Sequence, residues 1–168
     1  MNRLLDLGSE AGALLKQRGE TIAVSESSSG GLVSAALLSV GGASAYFLGG
    51  GVIYTPVAAR TLLEYNMREH PGVRSSSEPY AALAASHIRE RLGADWGLSE
   101  TGAAGPSGNR YGDSPGHSCI AVTGPLDRAI TMETGLSDRE QNMWLFAEKA
   151  LTILTAALRA APASAAKD

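Results

Sequence analysis

The chain has 168 residues, 44% of them apolar, and sets 14 basic side chains against 17 acidic ones for a formal charge of −3. A chain of this length buries roughly two-thirds of its unfolded surface, so one domain can hold a core without a metal or disulfide staple. The single Cys119 excludes an internal disulfide and points to a reducing compartment. The basic residues form no cluster, which disfavours nucleic acid and anionic lipid as partners, and no window approaches the ~20 apolar residues of a membrane span. The expectation is a cytoplasmic domain over residues 1–160 with no membrane partner, followed by a frayed tail over 161–168.

In chain order, Leu4, Leu7, Ala11, Leu14 and Leu15 fall at helical spacing over residues 3–18, and Gly19 stands where a left-handed cap would end that helix. Thr21 to Val24 reads as a β-branched strand, Ser25-Glu26-Ser27-Ser28-Ser29-Gly30-Gly31 as a tight turn, and Leu32 to Val40 as a second helix. Gly49 to Tyr54 predicts a strand, after which Thr55 and Pro56 supply an N-cap and a first-turn proline for a helix through Leu63. Residues 66–76 read as a loop. Ser77-Glu78-Pro79 repeats the capping chemistry before an alanine-rich helix ending near Gly93, and Trp96 to Ser99 is the next strand. A glycine loop from Gly102 to Gly116 precedes a hairpin of Ser118 to Thr123 and Ala129 to Thr134, and a last helix runs from about Asp138 to Arg159. Helices interleaved with strands, then a hairpin, predict a three-layer α/β/α sandwich around a mixed sheet.

Ligands of such sheets bind where glycine turns leave strand ends. Three segments qualify: Ser25 to Gly31, Gly41 to Gly51 and Thr101 to Gly116. In the first, amides and hydroxyls at Ser29, Gly30 and Gly31 could cradle a phosphate or carboxylate, or Ser29 could simply cap the helix. The segment Gly102 to Gly108 lacks the Gly-Lys-Ser/Thr ending of a nucleotide P-loop, so nothing points to ATP hydrolysis. Gly42-Ala43-Ser44-Ala45-Tyr46 approaches a nucleophile elbow but has a tyrosine where the second glycine belongs. His70, His87 and His117 pair with no cysteine or carboxylate at ligand spacing, so no metal site is expected. His87 reads as a packed helix residue, whereas His117 follows the long glycine loop at the start of a strand. Glu26, Glu100 and Asp113 all lie beside glycine turns, as ligand-orienting groups or as solvated loop charges.

Taken together, Thr21 to Gly31, Gly42 to Phe47, Gly51 to Tyr54, Ser77 to Pro79 and Gly102 to Pro106 resemble the C-terminal domain of the CinA, or competence/damage-inducible protein, family. The resemblance runs in family order from about residue 3 to 160. It implies hydrolysis of the carboxamide of nicotinamide mononucleotide to nicotinic acid mononucleotide and ammonia, in pyridine nucleotide salvage, without a cofactor and in a homodimer or larger assembly. It places the nucleophilic serine on Ser44, its neighbouring tyrosine on Tyr54, a site hydroxyl on Thr101 and an arginine on Arg139, with the glycines Gly30, Gly31, Gly102 and Gly105 framing the ligand. The departures are equally specific. The lysine that serves the family as base falls on Ala59, and a second arginine falls on Met143. The segment Ser114 to His117 also leaves the family pattern. Arg60 cannot replace the base because guanidinium stays protonated. Lys16, Lys149 and Lys167 are the only lysines and none has the right spacing. His117 is the candidate substitute base, with Tyr54 as relay. The alternative is a pyridine-nucleotide-binding or protein-interaction module that keeps the pocket without efficient turnover.

Overall fold

The computed structural model describes residues 3–163. Its elements are α1 (Arg3–Arg18), β1 (Ile22–Glu26), α2 (Leu32–Leu38), β2 (Phe47–Val52), α3 (Pro56–Leu62), α4 (Glu78–Leu92), β3 (Trp96–Ala103), β4 (His117–Thr123), β5 (Arg128–Glu133) and α5 (Arg139–Ala160). The strands form one sheet in the order β2-β1-β3-β4-β5. β2, β1 and β3 run parallel, and β4 and β5 close the sheet as antiparallel neighbours. This is the expected mixed sheet.

Two apolar layers cover it. Leu4, Ala11 and Leu15 of α1, Val33 and Leu37 of α2, and Leu151 and Leu154 of α5 join Ile22, Val24, Leu98 and Ile120 of the sheet in the main core. On the opposite face Tyr80, Ala84 and Ile88 of α4 pack with Ala59 of α3, Leu63 and Tyr65. The helices of the first layer approach closely because α1 carries Gly8: a Cβ there would lie 2.5 Å from the Ala36 carbonyl oxygen of α2. The predicted caps also form. Thr55 Oγ1 accepts the Ala58 amide, Ser77 Oγ accepts the Tyr80 amide, and Gly93 ends α4 at φ 64°.

Three expectations change. β3 continues four residues past Ser99, because Glu100 to Ala103 pair with Ile120 to His117 of β4, so Thr101 and Gly102 sit on a strand and not in the loop. The segment 66–76 contains a 3₁₀ turn at Met67–Glu69, capped by the Asn66 side chain. The beginning of the expected frayed tail is tied down: Arg18 donates to the carbonyls of Ala161 and Pro162, at 3.4 and 2.6 Å. Residues 164–168 lie outside the described residues.

Candidate functional site

In the parallel part of the sheet the segments after β1, β2 and β3 leave from one edge, and a pocket of about 210 Å³ opens there. Ser27 follows β1, Ile53, Tyr54, Thr55 and Pro56 follow β2, and Thr101 and Gly102 occupy the end of β3. Ala59 of α3, Tyr65, Met67, Ser75, Ser76, Tyr80 of α4 and Arg110 complete the wall. Gly102 is required on this strand, since a Cβ would come within 2.3 Å of the His117 carbonyl oxygen.

Ser76 is the most constrained residue of the wall. It is buried and holds φ 55°, a left-handed conformation that costs a non-glycine residue on the order of 1–3 kcal/mol. Its amide donates to Thr101 Oγ1 at 3.2 Å, and its carbonyl accepts from His117 Nε2 at 2.9 Å and from Arg74 at 3.3 Å. Arg74 also forks onto Asp113, which ties this loop to the glycine loop and holds the Asp113 carboxyl below the usual range through that hydrogen bond.

His117 therefore stands behind the pocket. Its Nδ1 lies 2.5 Å from Glu133 Oε1, and its Nε2 faces the Ser76 carbonyl. Both partners are acceptors, an arrangement that favours the protonated ring. Burial opposes that charge, but Glu133, the Ser76 carbonyl and the nearby Asp113 outweigh it and raise the imidazole above its ordinary value. His117 lines no part of the pocket and both its ring nitrogens are engaged, so it does not stand where the expected general base would act. Cys119, 3.6 Å from Nε2, is buried, and burial pushes its thiol up and away from the thiolate.

The expected anion cradle at α2 is occupied from within. Glu26 accepts from the amides of Gly31, Val33 and Ser34 and from the hydroxyls of Ser29 and Ser34, all within 3.0 Å. Glu100 accepts the Ser29 amide at 2.7 Å and the Ser118 hydroxyl at 2.9 Å. Burial pushes the Glu100 carboxyl above its usual range, against those bonds and one from Ser27. The Gly30 amide bonds to the Ser27 carbonyl. Ser29, Gly30 and Gly31 thus shape the turn and line no part of the pocket, and Glu26 and Glu100 are buried caps, neither solvated charges nor ligand-orienting groups.

Ser44 is also apart from the pocket. It lies exposed in a 3₁₀ turn, Ala43–Ala45, before β2, whereas Tyr54 and Thr55 come after that strand. The separation is roughly the length of β2, about 20 Å at about 3.3 Å per residue. The expected convergence of Ser44 and His117 within one chain does not occur. Tyr54, Thr101 and Gly102 do meet in the pocket, and Arg139, at the start of α5, donates to Tyr54 Oη at 3.0 Å and to the Gly105 carbonyl at 2.7 Å. Gly105 is buried and serves that contact.

Ser27, Tyr65, Ser75, Ser76, Tyr80 and Arg110 were not singled out from the sequence. The length of the glycine loop flags the region of Arg110, and Ser76 is hidden beside the capping Ser77. Tyr65 gives no sequence signal. Its buried hydroxyl has no hydrogen-bond partner among the described residues, and its ring stacks on His70 and meets Tyr80 and His87 edge-on. His87 is accordingly a packed residue. Among the described residues no group of three His, Cys, Asp or Glu is placed to hold a metal, and no helix is long and apolar enough to cross a membrane.

The mixed sheet carries a pocket at its strand ends, which defines an α/β domain of layered architecture, and comparison with known proteins gives its family. The profile of the CinA C-terminal domain matches residues 5–158. A CinA-like protein of Acaryochloris marina is 41% identical over 119 residues, 71% of this chain and 28% of that protein. One of Chlorobium limicola is 40% identical over 146 residues, 83% of this chain and 34% of that protein. The chain thus spans about a third of the length of the curated relatives it matches. The crystal structure of competence damage-inducible protein A from Klebsiella pneumoniae superposes with a TM-score of 0.87 at 25% identity, covering 94% of this chain and 98% of that one. This chain belongs to the CinA C-terminal domain family.

Proposed function

We propose that this CinA-family chain binds a nicotinamide-mononucleotide-like ligand in the Tyr54–Thr101 pocket without turning over its carboxamide. One observation carries the reading: position 59, where the family resemblance implies the lysine base, presents a methyl group to the pocket wall. The other described lining groups supply no substitute. Burial beside Tyr65 pushes the Tyr80 hydroxyl up to about 12, burial raises Tyr65 as well, and the Arg110 guanidinium keeps its proton. Binding needs less. Tyr54, Tyr65 and Tyr80 offer flat walls for a pyridine ring, the hydroxyls of Ser27, Ser76 and Thr101 suit a neutral carboxamide, and Arg110 supplies a cation for a phosphate.

Calorimetry with nicotinamide mononucleotide and its dephosphorylated riboside tests this. The mononucleotide is expected to bind at least about tenfold more tightly, since one charge-assisted hydrogen bond contributes ~1.5–3 kcal/mol. Ammonia release should stay at the uncatalysed level and appear in Ala59→Lys. Absence of binding by both ligands overturns the reading. The second reading, a working amidohydrolase, is favoured by Tyr54 and Thr101 lining one pocket with Arg139 bonded to Tyr54, and ammonia release by the unaltered protein would establish it.

A further inference from the structure

Four buried side-chain atoms are without a hydrogen-bond partner among the described residues: Tyr65 Oη, Arg89 Nε, Thr123 Oγ1 and Thr155 Oγ1. Of these four residues Tyr65 alone lines the pocket. An unmade hydrogen bond at a buried hydroxyl destabilises the free protein, and phenylalanine would fill the same space without that penalty. Tyr65 is 4% exposed, and its ring is held on several sides. It stacks on His70 with centroids 5.3 Å apart, meets Tyr80 and His87 edge-on at 5.2 and 5.8 Å, and its backbone amide donates to the Ala59 carbonyl. This packing accounts for an aromatic ring at position 65 and leaves the hydroxyl without a use in the free protein.

We propose that the Tyr65 hydroxyl is a specificity-determining donor of the pocket, which bonds to the carbonyl oxygen of the ligand's carboxamide. This role rests on the mononucleotide reading above and adds which wall receives which end of the ligand. Burial raises the Tyr65 phenol, so it keeps its proton and is available to donate. The residue belongs to an apolar cluster with Ile53, Ala59 and Tyr80, all of which line the pocket. Surroundings of this kind penalise an anion and favour a neutral acceptor such as an amide oxygen. Arg110, by contrast, is exposed and is the one charged side chain among the described lining residues. A phosphate held at Arg110 leaves the carboxamide for the buried wall.

With the carboxamide bound, the phenol gains the partner that folding denies it, so the hydroxyl strengthens binding while contributing nothing to the empty fold. Its removal therefore has two effects that can be separated. The free protein should be as stable as before or more so, and only ligands that carry the acceptor should bind less well. A hydroxyl with a purely structural part would behave in the reverse way, since its loss would lower stability and weaken every ligand alike.

Tyr65→Phe tests this with nicotinamide mononucleotide and with the analogue in which a methyl group replaces the carboxamide. Without ligand, the variant should melt at or above the temperature of the unaltered protein. By calorimetry it should bind nicotinamide mononucleotide about three- to tenfold more weakly, the loss expected for one neutral hydrogen bond, and bind the methyl analogue with unchanged affinity. Crossing the two changes, one in the protein and one in the ligand, isolates the contact between them. A lower melting temperature in the free variant, an unchanged affinity for nicotinamide mononucleotide, or an equal loss for both ligands overturns the proposal and leaves the ligand reading standing. Absence of binding by the unaltered protein overturns both, so the two failures are distinguishable.

Discussion

Ser76 shows how a single residue sets the pocket wall. Its left-handed backbone persists because Thr101, Arg74 and His117 all hold it, and of these His117 alone titrates near neutrality. The histidine is raised in the folded protein above its ordinary value of 6.5. A raised group contributes stability that is complete below the unfolded value and is lost as pH climbs through the folded one. The midpoint of thermal unfolding should therefore fall as pH rises above about 6.5, and the fall should be shallower in His117→Gln, as differential scanning measured from about pH 6 to 9 would reveal. The sequence pointed to His117 for its place after the glycine loop, but its role was not legible. That role depends on Ser76 and Glu133, which lie 41 and 16 residues away along the chain.

At the level of elements, strand, glycine turn and helix were readable in order from Ser25 to Leu38, while the destination of the helix amides was not. Glu26 ends β1 facing α2, and three amides and two hydroxyls converge on it. In Glu26→Gln one oxygen becomes an NH2 that confronts donors. The variant should lose about 2–4 kcal/mol, read as a lower urea midpoint at unchanged slope. Thr101 and Gly102 were misread as loop because glycine and threonine after Glu100 look like turn chemistry. The ladder to β4 overrides that local preference, and the glycine is there for close backbone approach. Caps fared better than strand ends, since Thr55, Ser77 and Gly93 act through neighbours one turn away.

For the molecule as a whole, the layered architecture was legible because apolar periodicity reports which face of an element is buried. The assembly of the site was not, because periodicity does not say which end of a parallel strand a residue occupies. Ser44 and Tyr54 are ten positions apart in sequence and beyond opposite ends of β2. Ligand binding, by contrast, acts on the whole fold. Nicotinamide mononucleotide at a hundred times its Kd should stabilise the protein by about 2.7 kcal/mol and raise Tm by about 5–11 °C, measured by calorimetric scanning. Thr101→Val, which removes a pocket hydroxyl, should show a smaller shift.

Trp96 begins β3, fully buried, with its indole N–H on Glu20 at 2.6 Å, and Glu20 in turn paired with Arg18. It stands five residues before Thr101, about 17 Å along the strand from the pocket. Its fluorescence is therefore a gauge of collapse at the far pole of the sheet. Emission from this indole should redden sharply on melting and stay silent while the opposite mouth fills.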